Sequence, residues 1–163
     1  MAEPSILFVC LGNICRSPLA EGAMRDAARK AGLAIEIDSA GTGIWHLGEP
    51  PDPRAQEIAA RDGIDISGLR ARQVTAQDFH RFDHIVAMDH DNLANLRRIA
   101  PADAHARLSL MLDHVPGQEG QAVADPYFGE STGFDATWRD MQAGARGLLA
   151  MFLAARTRPG DGR

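Results

Sequence analysis

The chain has 163 residues, 45% of them hydrophobic and 24% charged, which is the make-up of one globular domain with a real core. Its formal net charge of −5 argues against nucleic acid or an anionic membrane as a partner. No apolar run approaches the ~20 residues of a membrane span, and the opening "MAEPSILFVC" has no basic residue ahead of its apolar run, so it does not read as a signal peptide.

Residues 5–9, "SILFV", are strand formers and give the first predicted strand. The chain then turns through Gly12-Asn13. A helix is expected from Ser17 as N-cap and Pro18 as first helical residue, with Leu19, Ala20, Ala23, Met24, Ala27 and Ala31 inward and Gly32 as its stop. "AIEIDS", 34–39, alternates like a half-buried strand, and "GTGIWHLGEPPD" is loop by its Gly and Pro content. Asp52 caps a second helix that begins at Pro53 and runs to about Asp62, ended by Gly63. Thr75, with Asp78 three residues on, starts a short helix. "HIVAM", 84–88, is the third strand, and the helix after it turns Leu93, Leu96 and Ile99 inward before Pro101 stops it. "RLSLM", 107–111, is the fourth strand, 113–130 is loop-like, and a long helix over about 133–155 buries Phe134, Trp138, Met141, Ala145, Leu148 and Phe152.

Strand and helix in alternation imply an α/β fold: residues 1–163 as one domain, 156–163 as a frayed tail. The expected sheet has four parallel strands in the order 2-1-3-4, flavodoxin-like, with helices on both faces. Ligands bind beyond the carboxyl ends of such strands. Cys10 ends the first strand there, and Trp45 and "DPYFG", 125–129, follow strands two and four to the same edge.

Cys10 and Cys15 are the only cysteines, too few for a disulfide scaffold or a four-cysteine zinc site; a cytoplasmic, reducing setting is the default expectation, with export without a signal peptide left open. The six histidines, His46, His80, His84, His90, His105 and His114, show no metal-ligand spacing and read as surface residues. No metal and no cofactor is expected.

The stretch "VCLGNICRSPLAEG", 9–22, is the chemical signal. A loop between a strand and a helix N-terminus points successive backbone N–H groups inward and adds the helix's unpaired donors, a cradle for an anion of phosphate size. Gly12 frees the backbone, and Asn13 tolerates the left-handed region. Arg16 brings a fork for two phosphate oxygens. Cys10 at the floor of this cradle sits in a field that favours thiolate, and so faces a bound phosphorus atom as a nucleophile. Ser17 can donate to its sulfur. A phosphoester leaving group also needs a proton, and Asp125 is the candidate acid, with Tyr127 and Phe128 as walls. By itself Asp125-Pro126 is only a turn starter; beside a Cys-x5-Arg loop on the same edge it becomes the acid.

These residues resemble the low-molecular-weight protein tyrosine phosphatases, from "VCLGNICRSPLAEG" through "SAGTGIWHLGEPPDPRA", "GIDISGLRARQV" and "FDHIVAMDHDN" to "DPYFG". The resemblance implies a protein-tyrosine-phosphatase that hydrolyses phosphotyrosine through a phosphocysteine intermediate. Cys10 attacks, Arg16 and the amides of residues 11–17 (Leu11, Gly12, Asn13, Ile14, Cys15, Arg16, Ser17) hold the equatorial oxygens, and Asp125 protonates the phenolate. It also implies that Asn13 braces the loop, that Ser17 bonds the sulfur, and that Trp45, Tyr127 and Leu11 line a slot too deep for phosphoserine. The implied partners are phosphotyrosine proteins, a bacterial tyrosine kinase or a host protein among them, and phosphate or other oxyanions. A reversible Cys10–Cys15 disulfide would shield the nucleophile. Many relatives place a histidine on the loop asparagine where this chain has Leu69, and a second tyrosine where it has Phe128, which leaves the partner of Asn13 open.

Three rivals remain beside this reading. A thiol-based arsenate reductase needs further cysteines downstream, and none follows Cys15. A protein arginine phosphatase carries a threonine in the loop where this chain has Ile14. A phosphate-binding module without turnover would be expected to lack the nucleophile, the arginine or the acid, and all three are present.

Overall fold

Strand β1, Ser5–Cys10, is buried along its whole length, as a central parallel strand must be. Its side chains alternate between two cores. Ile6, Phe8 and Cys10 enter one with Leu19 and Met24 of α1 and Trp138 and Met141 of α5; Leu7 and Val9 enter the other with Phe79, Phe82, Leu93 and Leu96. Each fully buried Phe or Leu contributes about 1.5–3 kcal/mol.

The computed structural model describes residues 3–129 and 132–157. The element order is β1, α1 (Arg16–Ala31), β2 (Glu36–Gly41), α2 (Pro53–Arg61), α3 (Asp78–Arg81), β3 (His84–Ala87), α4 (His90–Ile99), β4 (Arg107–Leu110), a 3-10 helix over Met111–His114, and α5 (Thr132–Thr157). The four strands are parallel in the order β2-β1-β3-β4, as expected, with Cys10 level with Gly41 and Val9 level with Ala87. Arg156 and Thr157 still belong to α5, and the rest of the expected tail, 158–163, lies outside the described residues.

Several local expectations shift. Helix α1 begins at Arg16 with Cys15 as N-cap, two residues earlier than a Ser17 cap would place it, because the Ser17 hydroxyl is turned to the Cys10 sulfur instead. Ala28, four residues after Met24, is buried in α1, while Ala27 is half-buried and Ala31 exposed. Ile99 is 44% exposed. It lies six residues from Leu93, about 120° around the helix from the inward stripe, and Ala100, four residues after Leu96, packs on the core instead. Strand β2 runs two residues later than its alternation suggested and so reaches the carboxyl edge at Gly41. Among the described residues no helix is long and apolar enough to cross a membrane.

Candidate active site

The loop joining β1 to α1 is held from behind. Asn13 sits in the left-handed region at φ 58°, and its N–H donates to Cys10 Sγ at 3.3 Å. Its buried side chain uses every polar atom: Oδ1 accepts from the Arg72 N–H at 3.0 Å, and Nδ2 donates to Ser17 Oγ at 2.7 Å and Ser39 Oγ at 3.0 Å. The Arg72 main-chain N–H is thus the partner of Asn13 Oδ1, and Leu69 packs on the core. Ser39 in turn donates to Glu21 Oε1 at 2.7 Å, and Arg25 Nε to Glu21 Oε2 at 2.8 Å. Burial pushes the Glu21 carboxyl above its ordinary range, against these two donors. With Asn13 donating to Ser17 Oγ, the hydroxyl hydrogen is left for Cys10 Sγ at 3.0 Å or the Ala40 carbonyl at 3.4 Å.

Gly12 is not at positive φ, contrary to the expectation for it. Its missing side chain matters for space: a Cβ there would come 3.0 Å from His46 Cδ2.

Arg16, 2% exposed, aims its fork at two carboxylates. Nη1 donates to Asp89 Oδ2 at 2.7 Å and to the Val123 carbonyl at 2.9 Å, and Nη2 lies 3.5 Å from Asp125 Oδ2. Asp89 also caps α4, its Oδ1 accepting from the Asn92 N–H at 2.7 Å. Asp125 Oδ1 accepts from the Tyr127 N–H at 3.0 Å, so Asp125-Pro126 does start a turn, and that turn points its other oxygen to the arginine. Arg54 clamps the same loop. Its guanidinium donates to the carbonyls of Tyr127 at 3.1 Å and Gly129 at 3.3 Å, is fixed by Asp52 Oδ2 at 2.9 Å, and lies over the rings of Tyr127 and Phe134.

Cys10, Leu11, Gly12, Ile14, Cys15, Arg16, Trp45, Asp125 and Tyr127 line one cavity of about 310 Å³, and His46 and Phe128 complete it. Asn13 and Ser17 stand behind its floor. The floor is polar and the rim aromatic, with Trp45 68% and Phe128 89% exposed. This shape suits a ring that ends in an anion. Both cysteines are free and buried. Burial, with Asp52, Cys10 and Asp125 adding to it, pushes the Cys15 thiol far up, which favours its protonated form. Among the described residues no three His, Cys, Asp or Glu side chains gather as a metal site.

Three contributors escaped the sequence reading. His46, expected on the bland surface, lines the cavity, bonded through Nδ1 to Glu49 at 3.0 Å; the pairing of His and Glu three residues apart in a loop beside Trp45 was its one signal. Asp89 follows β3 as the N-cap of α4, at the same edge as Cys10, and a buried Arg16 requires such an anion. Arg54 follows Asp52-Pro53 and offered only its helix position.

A family model described as low molecular weight phosphotyrosine protein phosphatase matches residues 5–157. The chain is 45% identical over 148 residues to the low molecular weight protein-tyrosine-phosphatase YfkJ of Bacillus subtilis, covering 90% of this chain and 94% of that one. The YfkJ crystal structure superposes with a TM-score of 0.87 at 43% identity, over 94% of this chain and 96% of that one. A low molecular weight phosphotyrosine protein phosphatase of Schizosaccharomyces pombe is 46% identical over 132 residues, 79% of this chain and 84% of its own. The crystal structure of a Drosophila arginine phosphatase also superposes, at a TM-score of 0.85 and 32% identity, over 90% of this chain and 96% of that one.

Proposed function

The chain belongs to the low molecular weight phosphotyrosine protein phosphatases, hydrolases of protein phosphotyrosine, and from that premise we propose how its own residues carry the reaction. The phosphoryl group of phosphotyrosine enters the cradle with its ring between Trp45 and Tyr127. The Cys10 thiolate attacks phosphorus in line; the S–P bond forms as the P–O bond to the ring breaks. Asp125, entering as the acid, gives its proton to the departing phenolate oxygen. The loop amides and the Arg16 fork hold the three equatorial oxygens, whose negative charge they neutralise through the transition state. Asp125, now a carboxylate, takes a proton from water as the water oxygen attacks phosphorus. The S–P bond breaks, inorganic phosphate leaves, and Cys10 returns as thiolate with Ser17 bonded to it.

The observation that supports this reading is the meeting of Cys10, Arg16 and Asp125 in one cavity, with Asp125 Oδ2 3.5 Å from Arg16 Nη2. Ile14 on the cavity wall favours an aromatic ring over a guanidinium, since it offers no hydrogen bond to phosphoarginine.

Two variants test the roles. Cys10→Ser abolishes hydrolysis of an aryl phosphate while the melting temperature is kept; retained turnover removes Cys10 as nucleophile. Asp125→Asn slows a poor leaving group, the tyrosine phenolate, by about 10²–10⁴-fold, and an ester with an activated leaving group far less. Equal losses on the two esters would remove Asp125 as the acid. Phosphotyrosine, phosphoserine and phosphoarginine peptides on the wild-type enzyme then rank the substrates, with phosphotyrosine expected first.

A further inference from the structure

A second cavity of about 410 Å³ opens beside the catalytic one. Leu11 and Trp45 line both, so the two are separated by little more than the indole. That indole rests on Gly43, where a Cβ would fall 1.9 Å from its ring. The far wall is the last turn of α4, with Asn95, Arg98 and Ile99. No Asp or Glu lines this cavity, although the chain has 22 of them and a net charge of −5. The Arg98 side chain is exposed and makes no ion pair or hydrogen bond among the described residues, unlike those of Arg16, Arg54 and Arg72, each locked to a carboxylate. Thr42 Oγ1, also on the wall, is buried with no hydrogen-bond partner among the described residues. Ile99, at 44% exposure, offers apolar surface beside the free cation.

We propose that this cavity is a subsite for the residues flanking phosphotyrosine in the substrate protein, and that it selects an acidic side chain, held by Arg98 with its methylenes against Ile99 and Leu11. The proposal rests on the phosphotyrosine reading above. A ring seated between Trp45 and Tyr127 leaves the substrate backbone at the rim, one indole away from the second cavity. The local charge is positive and unopposed, so an Asp or Glu is attracted and a Lys repelled. Because the pair is exposed, its effect is modest and screened by salt.

The test walks one glutamate through the three positions on each side of phosphotyrosine in an otherwise alanine peptide. At one of these positions wild-type kcat/KM rises about two- to fivefold, through KM, at low ionic strength. Arg98→Ala removes this gain, and Arg98→Glu inverts it, so that lysine at that position becomes the better residue. Hydrolysis of p-nitrophenyl phosphate, which does not reach the second cavity, stays at the wild-type rate in both variants. If no glutamate position depends on Arg98, or if the small ester loses rate along with the peptides, the subsite is overturned. Absence of turnover on every phosphotyrosine peptide, with the small ester still cleaved, would overturn the phosphotyrosine reading itself and the subsite with it.

Discussion

Asp89 spends its two oxygens on different tasks. One holds the Arg16 fork at 2.7 Å, and the other caps α4 through the Asn92 N–H. Asparagine in its place can still cap, because its carbonyl oxygen accepts the same bond, but it turns an NH2 toward a guanidinium that is itself only a donor. Asp89→Asn therefore keeps its melting temperature near wild type and loses about 10²-fold in kcat as Arg16 loses its orientation. Asp89→Ala loses activity too and gives up in addition about 1 kcal/mol of stability with the cap. Activity unaffected in both variants would show that Arg16 holds its position without this carboxylate. The contrast explains what could be read at this scale. Cys10, Arg16 and Ser17 lie within eight residues of one another, so spacing alone places them in one loop. Asp89 and Arg54 reach the site only through the packing of β3 and α2, and a linear sequence carries no distance between Arg16 and Asp89. Asn13 shows the same limit: its loop role was legible, but its partner is a main-chain N–H of Arg72, which no residue type announces.

At the scale of elements, the placement of α5 depends on close approach to the 3-10 helix. A Cβ on Gly147 would fall 1.7 Å from the His114 carbonyl oxygen, a backbone atom that cannot swing aside as a side-chain tip can. Gly147→Ala is expected to destabilise the fold by about 1–3 kcal/mol, more than the helix propensity of alanine returns. Urea unfolding measures it, and a neutral or stabilised variant would show that α5 can slide away from Met111–His114 freely. The apolar stripe of α5 was legible because six residues at helical spacing, from Phe134 to Phe152, all turn inward. The end of α4 was not. Leu93, Leu96 and Ile99 keep a spacing of three, which drifts around a helix of 3.6 residues per turn, and only the packed sheet reveals that Ala100 takes the inward place. The start of α1 was misjudged for a chemical reason: a serine before a proline is a strong capping signal, overridden here because its hydroxyl has a sulfur and an asparagine to bond.

Across the whole molecule, two histidines sit where α5 closes on the sheet. The His84 ring meets Phe152 edge-on at 5.4 Å, and His114 Nε2 lies 2.9 Å from Ser109 Oγ. Burial lowers the pKa of both; Asp83 opposes this at His84 and Asp113 at His114, while Arg107 and His105 add to it at His84, and His84 adds to it at His114. Their folded values thus lie below the ~6.5 of an unfolded histidine. As pH falls through that value the unfolded chain binds protons first, so the stability these residues contribute is present above about 6.5 and is lost as pH drops through the folded values. Two carboxyls run the other way: burial raises buried Glu21 and half-buried Asp140, which contribute stability below the ordinary carboxylate range and lose it as pH rises through their raised values. Asp52, lowered chiefly by its bond from Arg54, matters only below the ordinary Asp range. Among these groups the histidines are the ones whose contribution falls as pH drops from 7.5 toward 5.5, so they lower the midpoint of urea unfolding across that interval. His84→Gln combined with His114→Gln should flatten this fall, whatever the double substitution does to stability at pH 7.5. A double variant with the wild-type slope would place the acid sensitivity in other groups, because a histidine's titration shows in the change of stability with pH and not in its absolute value at any one pH.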